Sequence, residues 1–341
     1  MRRIVLIAPK FFDYWKKIKI ELEQREFKVY YINQSLTTES IVKRYIDRYG
    51  NDYIRNKQNF EYYLKKIVDI PNDVEYVLVI KGDSLDKNIL GEIKNKFSGA
   101  KFIMYQWDSC SNSPNALEIA KYFDKIFTFD REDANKYFWE YRPLFFDSSD
   151  CKKTNKIYDI LYICTLKYKR GEIYKEAKKI SENEGLSFFY YLYIDFKTYI
   201  KRIVLNRDRI YMSIPFKNIK FKPLSIEDTA KLYDKSKIVI DYTTPSQTGL
   251  SMRTIECLGH ECKIITNNKN IKFEKFYSEE NVFIYDDNVK ILPEFIENQR
   301  IIAGNAQFTG IAAGQGVGFT TGLLLLREGL GMRETPIRPH S

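Results

Sequence analysis

Histidine is almost missing from this chain: 341 residues hold two, His260 and His340. A His-rich metal site is excluded in practice, and a Ser/His/Asp triad would rest on His260 alone. Cysteine is sparse as well: Cys110, Cys151, Cys164, Cys257 and Cys262 are odd in number and form no CxxC. That pattern fits reduced structural thiols in a cytoplasmic protein, not a disulfide framework or a zinc site. The first loop, Pro9-Lys10-Phe11-Phe12, lacks both GxGxxG and Walker glycines, which removes the best evidence for a dinucleotide oxidoreductase or a P-loop NTPase. No DxD follows an apolar strand, and Asp286-Asp287 reads as a turn. Helix-turn-helix, zinc-finger and RNP patterns are absent, so no nucleic-acid partner is expected. The apolar run at the amino terminus, Ile4 to Ala8, stops at Pro9 and reads as a strand, too short for a signal peptide.

What is present is a folded composition, rich in Ile, Tyr and Phe, with a net charge of +10 carried by lysines spread along the chain. Such a balance favours acidic partners: a phosphorylated small molecule, or peripheral contact with an anionic membrane. The length suffices for two cores.

In order, Ile4 to Ala8, a helix over Asp13 to Gln24 and Phe27 to Ile32 open a doubly wound parallel sheet. Residues 38–70 are helical in pattern. Three later strands then deliver polar residues to one sheet edge. Glu75 to Ile80 leads to Lys81, Gly82 and Asp83. Lys101 to Tyr105 leads to Trp107 and Asp108, and Lys125 to Phe129 ends at Asp130. An indole can stack on a sugar's apolar face while a carboxylate takes a hydroxyl proton, which makes Trp107 and Asp108 candidates for acceptor binding and for the base. Lys81 and Asp83 would line the acceptor side, although Asp83 also suits a plain loop. Asp130, before Arg131-Glu132-Asp133, fits a helix N-cap better than catalysis.

The pattern breaks over Tyr141 to Asn155, read as an interdomain linker between domains at 1–145 and 156–300. A second α/β unit opens with Tyr158 to Ile163. Thr165, Lys169 and Arg170 follow in the next loop and helix start, where hydroxyl and cationic groups reach a diphosphate; a solvated basic helix start satisfies the same pattern. Leu186 to Ile194 is another strand, and residues 197–222 are basic and irregular, suited to an anionic surface or simply to solvent. Ser225 opens a capped helix. The organising stretch is Ile238 to Asn268: strand, polar loop with Gln247 and Gly249, helix from Ser251 to Gly259, strand. Ligands in open α/β sheets sit at strand carboxyl ends against such helix N-termini. Arg253 and Glu256, three apart, share a helix face, as an ordinary surface pair would too. His260, just past Gly259, suits a partner for the helix C-terminus.

YDILYICTLKYKRGEIY, SIEDTAKLYDKSKIVIDYTTPSQTGLSMRTIECLGHECKIITNN and KFYSEENVFIYDD resemble the carboxyl-terminal half of CgeB-like and capsular or lipopolysaccharide-biosynthesis glycosyltransferases. MYQWDS and YFDKIFTFDREDANKY resemble their amino-terminal half. The resemblance covers most of residues 1–295, and GLSMRTIE is its most specific part. It implies a GT-B fold, two Rossmann-like domains facing a cleft, and sugar transfer from a nucleotide-activated donor to a glycan or lipid-linked acceptor in cell-surface polysaccharide biosynthesis. Gly249 would permit close backbone approach, Arg253 would face the diphosphate and Glu256 would bind ribose, beside Thr165, Lys169, Arg170 and Gln247. Neither metal nor other cofactor is called for, since helix N-termini and cations can stabilise the departing diphosphate. The site of action would be the cytoplasm, at the inner face of the plasma membrane. The first strand of the second domain departs from the group, ending in Cys164-Thr165 where glycine is common. The rival from another class is a non-catalytic nucleotide- or sugar-binding envelope or spore-coat assembly protein on the same fold.

From Ile301 the composition changes. Ile301 to Leu326 carries no charge, and Gly310, Gly314, Gly318 and Gly322 recur every four residues. That is the small-xxx-small spacing of packed membrane helices, yet Asn305, Gln307 and Gln315 weaken a span. The tail, 301–341, is read as a disordered or membrane segment foreign to the catalytic unit.

Overall fold

The computed structural model describes residues 1–10, 14–34, 52–146, 151, 154–244, 246–285 and 295, and the chain divides into two compact units between Pro143 and Leu144. The division falls inside the 141–155 stretch. The tail at 301–341, Asp286-Asp287, and Phe11 and Phe12 of the first loop lie outside the described residues.

The first unit holds β1 (Arg2–Ala8), α1 (Tyr14–Gln24), β2 (Phe27–Asn33), α2 (Asp52–Ile67), β3 (Tyr76–Ile80), α3 (Lys87–Lys96), β4 (Lys101–Gln106), α4 (Asn115–Ile119), β5 (Lys125–Thr128), α5 (Arg131–Tyr137) and β6 (Glu140–Tyr141). Its sheet runs β2-β1-β3-β4-β5-β6, with every neighbouring pair parallel. Central strands such as YVLVI are buried along their whole length, as strands covered on both faces must be. Helix starts are set by side chains that take the otherwise unpartnered first N–H groups: Asp86 caps α3, and Asp130 caps α5 by accepting from Glu132 and Asp133, the role expected of it.

The second unit holds β7 (Tyr158–Thr165), α6 (Arg170–Asn183), β8 (Phe188–Tyr193), α7 (Phe196–Ile200), α8 (Arg209–Met212), β9 (Ile219–Lys220), α9 (Ile226–Asp234), β10 (Ser236–Asp241), α10 (Met252–Gly259), β11 (Lys263–Thr266) and β12 (Val282–Ile284). The order is β12-β11-β10-β7-β8-β9, again parallel throughout. Residues 197–222, expected to be irregular, instead form α7 with a π-helical extension to Leu205, α8 and the edge strand β9. Tyr199, Tyr211, Ile214 and Ile219 are the reason, because each is buried in this unit's core. Ser225 caps α9 through its hydroxyl, as the sequence predicts, and Ser251, where the next helix is expected to open, caps α10 in the same way. A side chain at Gly259 would collide with the Phe146 ring, so the end of α10 depends on glycine for close packing.

Among the described residues no helix is long and apolar enough to cross a membrane.

Candidate functional site

In the second sheet the strand order reverses at β7 and β10, and in open α/β sheets the crevice at such a switch point is where ligands bind. β7 ends there in Thr165 and β10 in Asp241. Arg170, first residue of α6, bridges the two strand ends: Nη1 donates to the Thr165 carbonyl at 3.1 Å and Nη2 to the Tyr242 carbonyl at 3.2 Å. The guanidinium carbon also sits 5.7 Å from the Tyr242 ring centroid.

Asp241 is fully buried, at 0% exposure. Three donors from the start of α10 and its cap converge on it: Ser251 Oγ at 2.8 Å, Thr254 Oγ1 at 2.6 Å and Arg253 Nη1 at 3.3 Å. Burial opposes the Arg253 charge but is outweighed by its surroundings, Asp241 the carboxylate among them, and its pKa is raised. A quarter of the Arg253 side chain, 25%, stays accessible. Cys164, buried at the end of β7, feels both Arg170 and Arg253, and burial pushes its thiol up to about 11. Two guanidinium groups thus approach one strand end.

The switch point also collects polar atoms that are buried without a hydrogen-bond partner: Arg170 Nε, Arg253 Nε, Thr243 Oγ1 and Tyr285 Oη. Burial raises the Tyr285 pKa, as do Asp241 and Tyr242, while Arg170 lowers it, which puts this phenol in the same group. Buried polar groups are nearly always paired, so four orphans around one crevice call for a ligand, an ion or water.

The loop after β10 is held from β11. Asn267 accepts from the Thr243 N–H at 2.8 Å, and Asn268 Nδ2 donates to the carbonyls of Thr248 and Gly249 at 3.1 Å. Gln247 Nε2 donates to the Gly249 carbonyl at 3.3 Å. Gln247 and Gly249 are therefore bound to each other within the loop. Lys169 stands exposed at the N-cap of α6, and Glu256 lies half-buried one turn beyond Arg253. Thr165, Arg170 and Arg253 are brought together, with Lys169 exposed next to Arg170 in the chain. Sequence reasoning missed Asp241 and the Asn267-Asn268 pair. The signal was available, an acid and two amides each just at or past the end of an apolar strand.

The first unit has its own polar edge. Lys81 Nζ lies 2.8 Å from Asp83 Oδ2 and 2.6 Å from Asp108 Oδ2, and Ser113 Oγ donates to the other Asp83 oxygen at 2.5 Å. Burial would lower the Lys81 pKa, but the two carboxylates outweigh it and leave it raised. The turn that aims this lysine is left-handed at consecutive residues, φ 76° at Lys81 and 83° at Gly82. Asn115 pins it by donating to the carbonyls of Gly82 and Leu85 at 3.1 and 2.9 Å. Trp107 is half-buried, with Tyr14 and Tyr105 edge-on to its ring at 6.0 and 5.9 Å. Lys81, Asp83 and Asp108 therefore form one cluster with Trp107 beside it in sequence. Among the described residues no group of three or more His, Cys, Asp or Glu is placed to hold a metal.

His260 caps the end of α10 through its backbone N–H, and its ring Nδ1 is 2.7 Å from the buried Asp234, so the histidine is structural.

No protein-family model matches the chain, and no curated protein sequence does. Solved structures do. Sucrose-phosphate synthase from Thermosynechococcus elongatus aligns at a TM-score of 0.62 and 10% identity, over 97% of this chain and 98% of its own. The Anabaena protein HepE, in complex with UDP and glucose, aligns at 0.61 and 11%, over 97% of this chain and 100% of its own. The fold is GT-B. A putative UDP-N-acetylglucosamine 2-epimerase from Listeria monocytogenes aligns at 0.53 and 10%, over 98% of both chains. At such identities the likeness establishes the GT-B architecture and leaves the chemistry to the residues themselves.

Proposed function

We propose that this protein is a glycosyltransferase that moves a sugar from a nucleotide-activated donor to a glycan or lipid-linked acceptor in cell-surface polysaccharide biosynthesis, without a metal, in the cytoplasm at the inner face of the membrane. The observation that carries the donor half is the switch point of the second sheet. Two guanidinium groups, four unpartnered polar atoms and the start of α10 lie there, with a half-buried Glu256 one turn on.

Negative charge develops on the nucleoside diphosphate as the bond to the sugar breaks. Arg253, fixed by Asp241, and Arg170, fixed on two strand ends, oppose that charge without moving, which is what preorganised electrostatic stabilisation requires. Their permanent charge supplies what a divalent cation supplies elsewhere. Glu256 takes the ribose hydroxyls, and Thr165, Lys169, Gln247 and Gly249 frame the phosphates. In the first unit Asp108 draws the proton from the acceptor hydroxyl, Lys81 and Asp83 hold the acceptor's polar groups, and Trp107 offers its ring to the sugar. The UDP and glucose in HepE agree with such a ligand pair.

A second reading, a nucleotide- or sugar-binding assembly protein without catalysis, draws on the ion pair that already engages Asp108. One experiment separates the two. A nucleotide diphosphate at about a hundredfold excess over its dissociation constant stabilises the native chain by about 2–3 kcal/mol in thermal unfolding. Arg253→Ala, compared with its own unliganded melting curve, loses that gain. Turnover of the matching nucleotide sugar then selects the transferase, and binding without turnover selects the assembly protein. A folded chain that binds no nucleotide sinks the transferase reading and moves the sugar-binding assembly protein ahead.

A further inference from the structure

The exposed apolar side chains of the second unit are concentrated in one segment. Phe196, Ile200, Val204, Leu205, Met212 and Phe216 are each between 42% and 73% exposed. Phe196, Ile200 and Val204 follow one another at i, i+4 and i+8 along α7 and its π-helical extension, so they form a stripe. Lys197 and Lys201 form the neighbouring stripe. The opposite face is anchored, with Tyr199 buried and Ile203 packed against the core. Phe196 and Phe216 flank one ring, Phe221, at 5.2 and 5.6 Å, which joins the helix and the turn before β9 into a single patch.

Charge follows the same ground. From Phe196 to Lys222 there are eight lysines and arginines against one acid, Asp208. Asp208 is matched by Arg202 at 3.8 Å, while Lys197, Lys201, Arg207, Arg209 and Lys217 stand exposed.

We propose that this segment is a membrane-docking surface: it lies on an anionic lipid bilayer, with Phe196, Ile200 and Val204 in the acyl boundary and the lysines at the headgroups. Charge complementarity selects the occupant. A basic rim around outward-standing apolar side chains is the composition of an interfacial helix, whose apolar face sinks into the headgroup boundary while the cations meet anionic lipid. A peptide partner would instead want a groove, and these side chains stand outward from a helix face. The inference does not depend on the transfer reading, since it concerns a different surface.

The test is co-sedimentation of the full chain with vesicles of equimolar phosphatidylcholine and phosphatidylglycerol, beside vesicles of phosphatidylcholine alone. Binding is expected on the first and not the second, and falls as salt rises. Lys197→Glu with Lys201→Glu, and separately Ile200→Ser with Val204→Ser, each weaken it by about tenfold or more. All four positions are exposed, and unchanged melting temperatures confirm the fold. Four results overturn the proposal. One is no binding to anionic vesicles, and another is binding that neither pair alters. A third is loss with the charge pair alone, which means adsorption without insertion. The fourth is a dimer in sedimentation that the serine pair dissolves, which assigns the patch to a second copy. Nucleotide-induced thermal stabilisation, measured on the same variants, is expected to persist, so failure here leaves the donor-site reading standing.

Discussion

The two sheets end in opposite kinds of polar edge. In the first unit a single ammonium lies between two carboxylates, Asp83 and Asp108, and a serine occupies the remaining Asp83 oxygen. In the second unit one guanidinium pairs with a buried carboxylate, a second bridges the two neighbouring strand ends, and several buried polar atoms have no partner. The first cluster has more acids than bases and ties its one lysine to both acids; the second has more bases than acids and leaves both guanidinium Nε donors unpartnered. An acid-rich cluster suits holding and deprotonating hydroxyls. A base-rich one suits an anion that arrives with its own acceptors. The same α/β architecture thus offers complementary chemistry at its two edges, and the difference lies in a few residues just past the strands.

The sharpest way to break that contrast is to neutralise Asp241. Asp241→Asn keeps the shape but presents an amide to Ser251, Thr254 and Arg253, and leaves the arginine without its counter-charge. Removing one partner of a buried pair costs about 3 kcal/mol or more. The urea midpoint is expected to fall accordingly, and donor affinity with it, since Arg253 loses its fixed direction. A midpoint within experimental error of the native chain would mean that Asp241 holds nothing in place.

Much of this was legible beforehand. The parallel sheets followed from apolar runs such as EYVLVI and YDILYI, because strands buried on both faces cannot alternate. The caps Asp130 and Ser225 were legible because capping is local chemistry. Arg253 was legible from its place on a helix after a strand. Its partner Asp241, twelve residues earlier, was not, since the pairing depends on how α10 folds back over β10. Arg170 clamping Tyr242 is more remote still, at a separation of 72 residues, and depends on β7 and β10 being neighbours. Residues 197–222 looked irregular because their apolar positions split between core and surface, which blurs any single period.

A smaller perturbation acts on the first edge alone. Gly82 has φ 83°, and a Cβ there would lie 2.9 Å from Ile119 Cδ1. Gly82→Ala is expected to cost about 1–2 kcal/mol, mostly from the left-handed backbone, since the end of the isoleucine can shift. The melting temperature should drop by a few degrees. Nucleotide-induced stabilisation in the second unit should be unchanged, and its loss would show that the two edges are not independent.

The gentlest test uses pH, because lysine titrates where arginine does not. The Lys81 pKa is raised in the folded chain, burial lowering it but Asp108 and Asp83 outweighing burial. A raised folded value means that the stabilisation is complete below the unfolded lysine pKa, about 10.4, and is lost as pH climbs through the higher folded value. The difference in unfolding free energy between the native chain and Lys81→Met should therefore be flat from about pH 7 to about pH 9, and close above that range. Its size is on the order of 1 kcal/mol or less, since a third of these side chains still meets water and screens the pair. The Asp241→Asn difference should show no such alkaline closure, because Arg253 keeps its proton throughout. If both differences closed together at high pH, the contrast between a titratable lysine edge and a permanently charged arginine edge would be lost, and global alkaline unfolding would account for both.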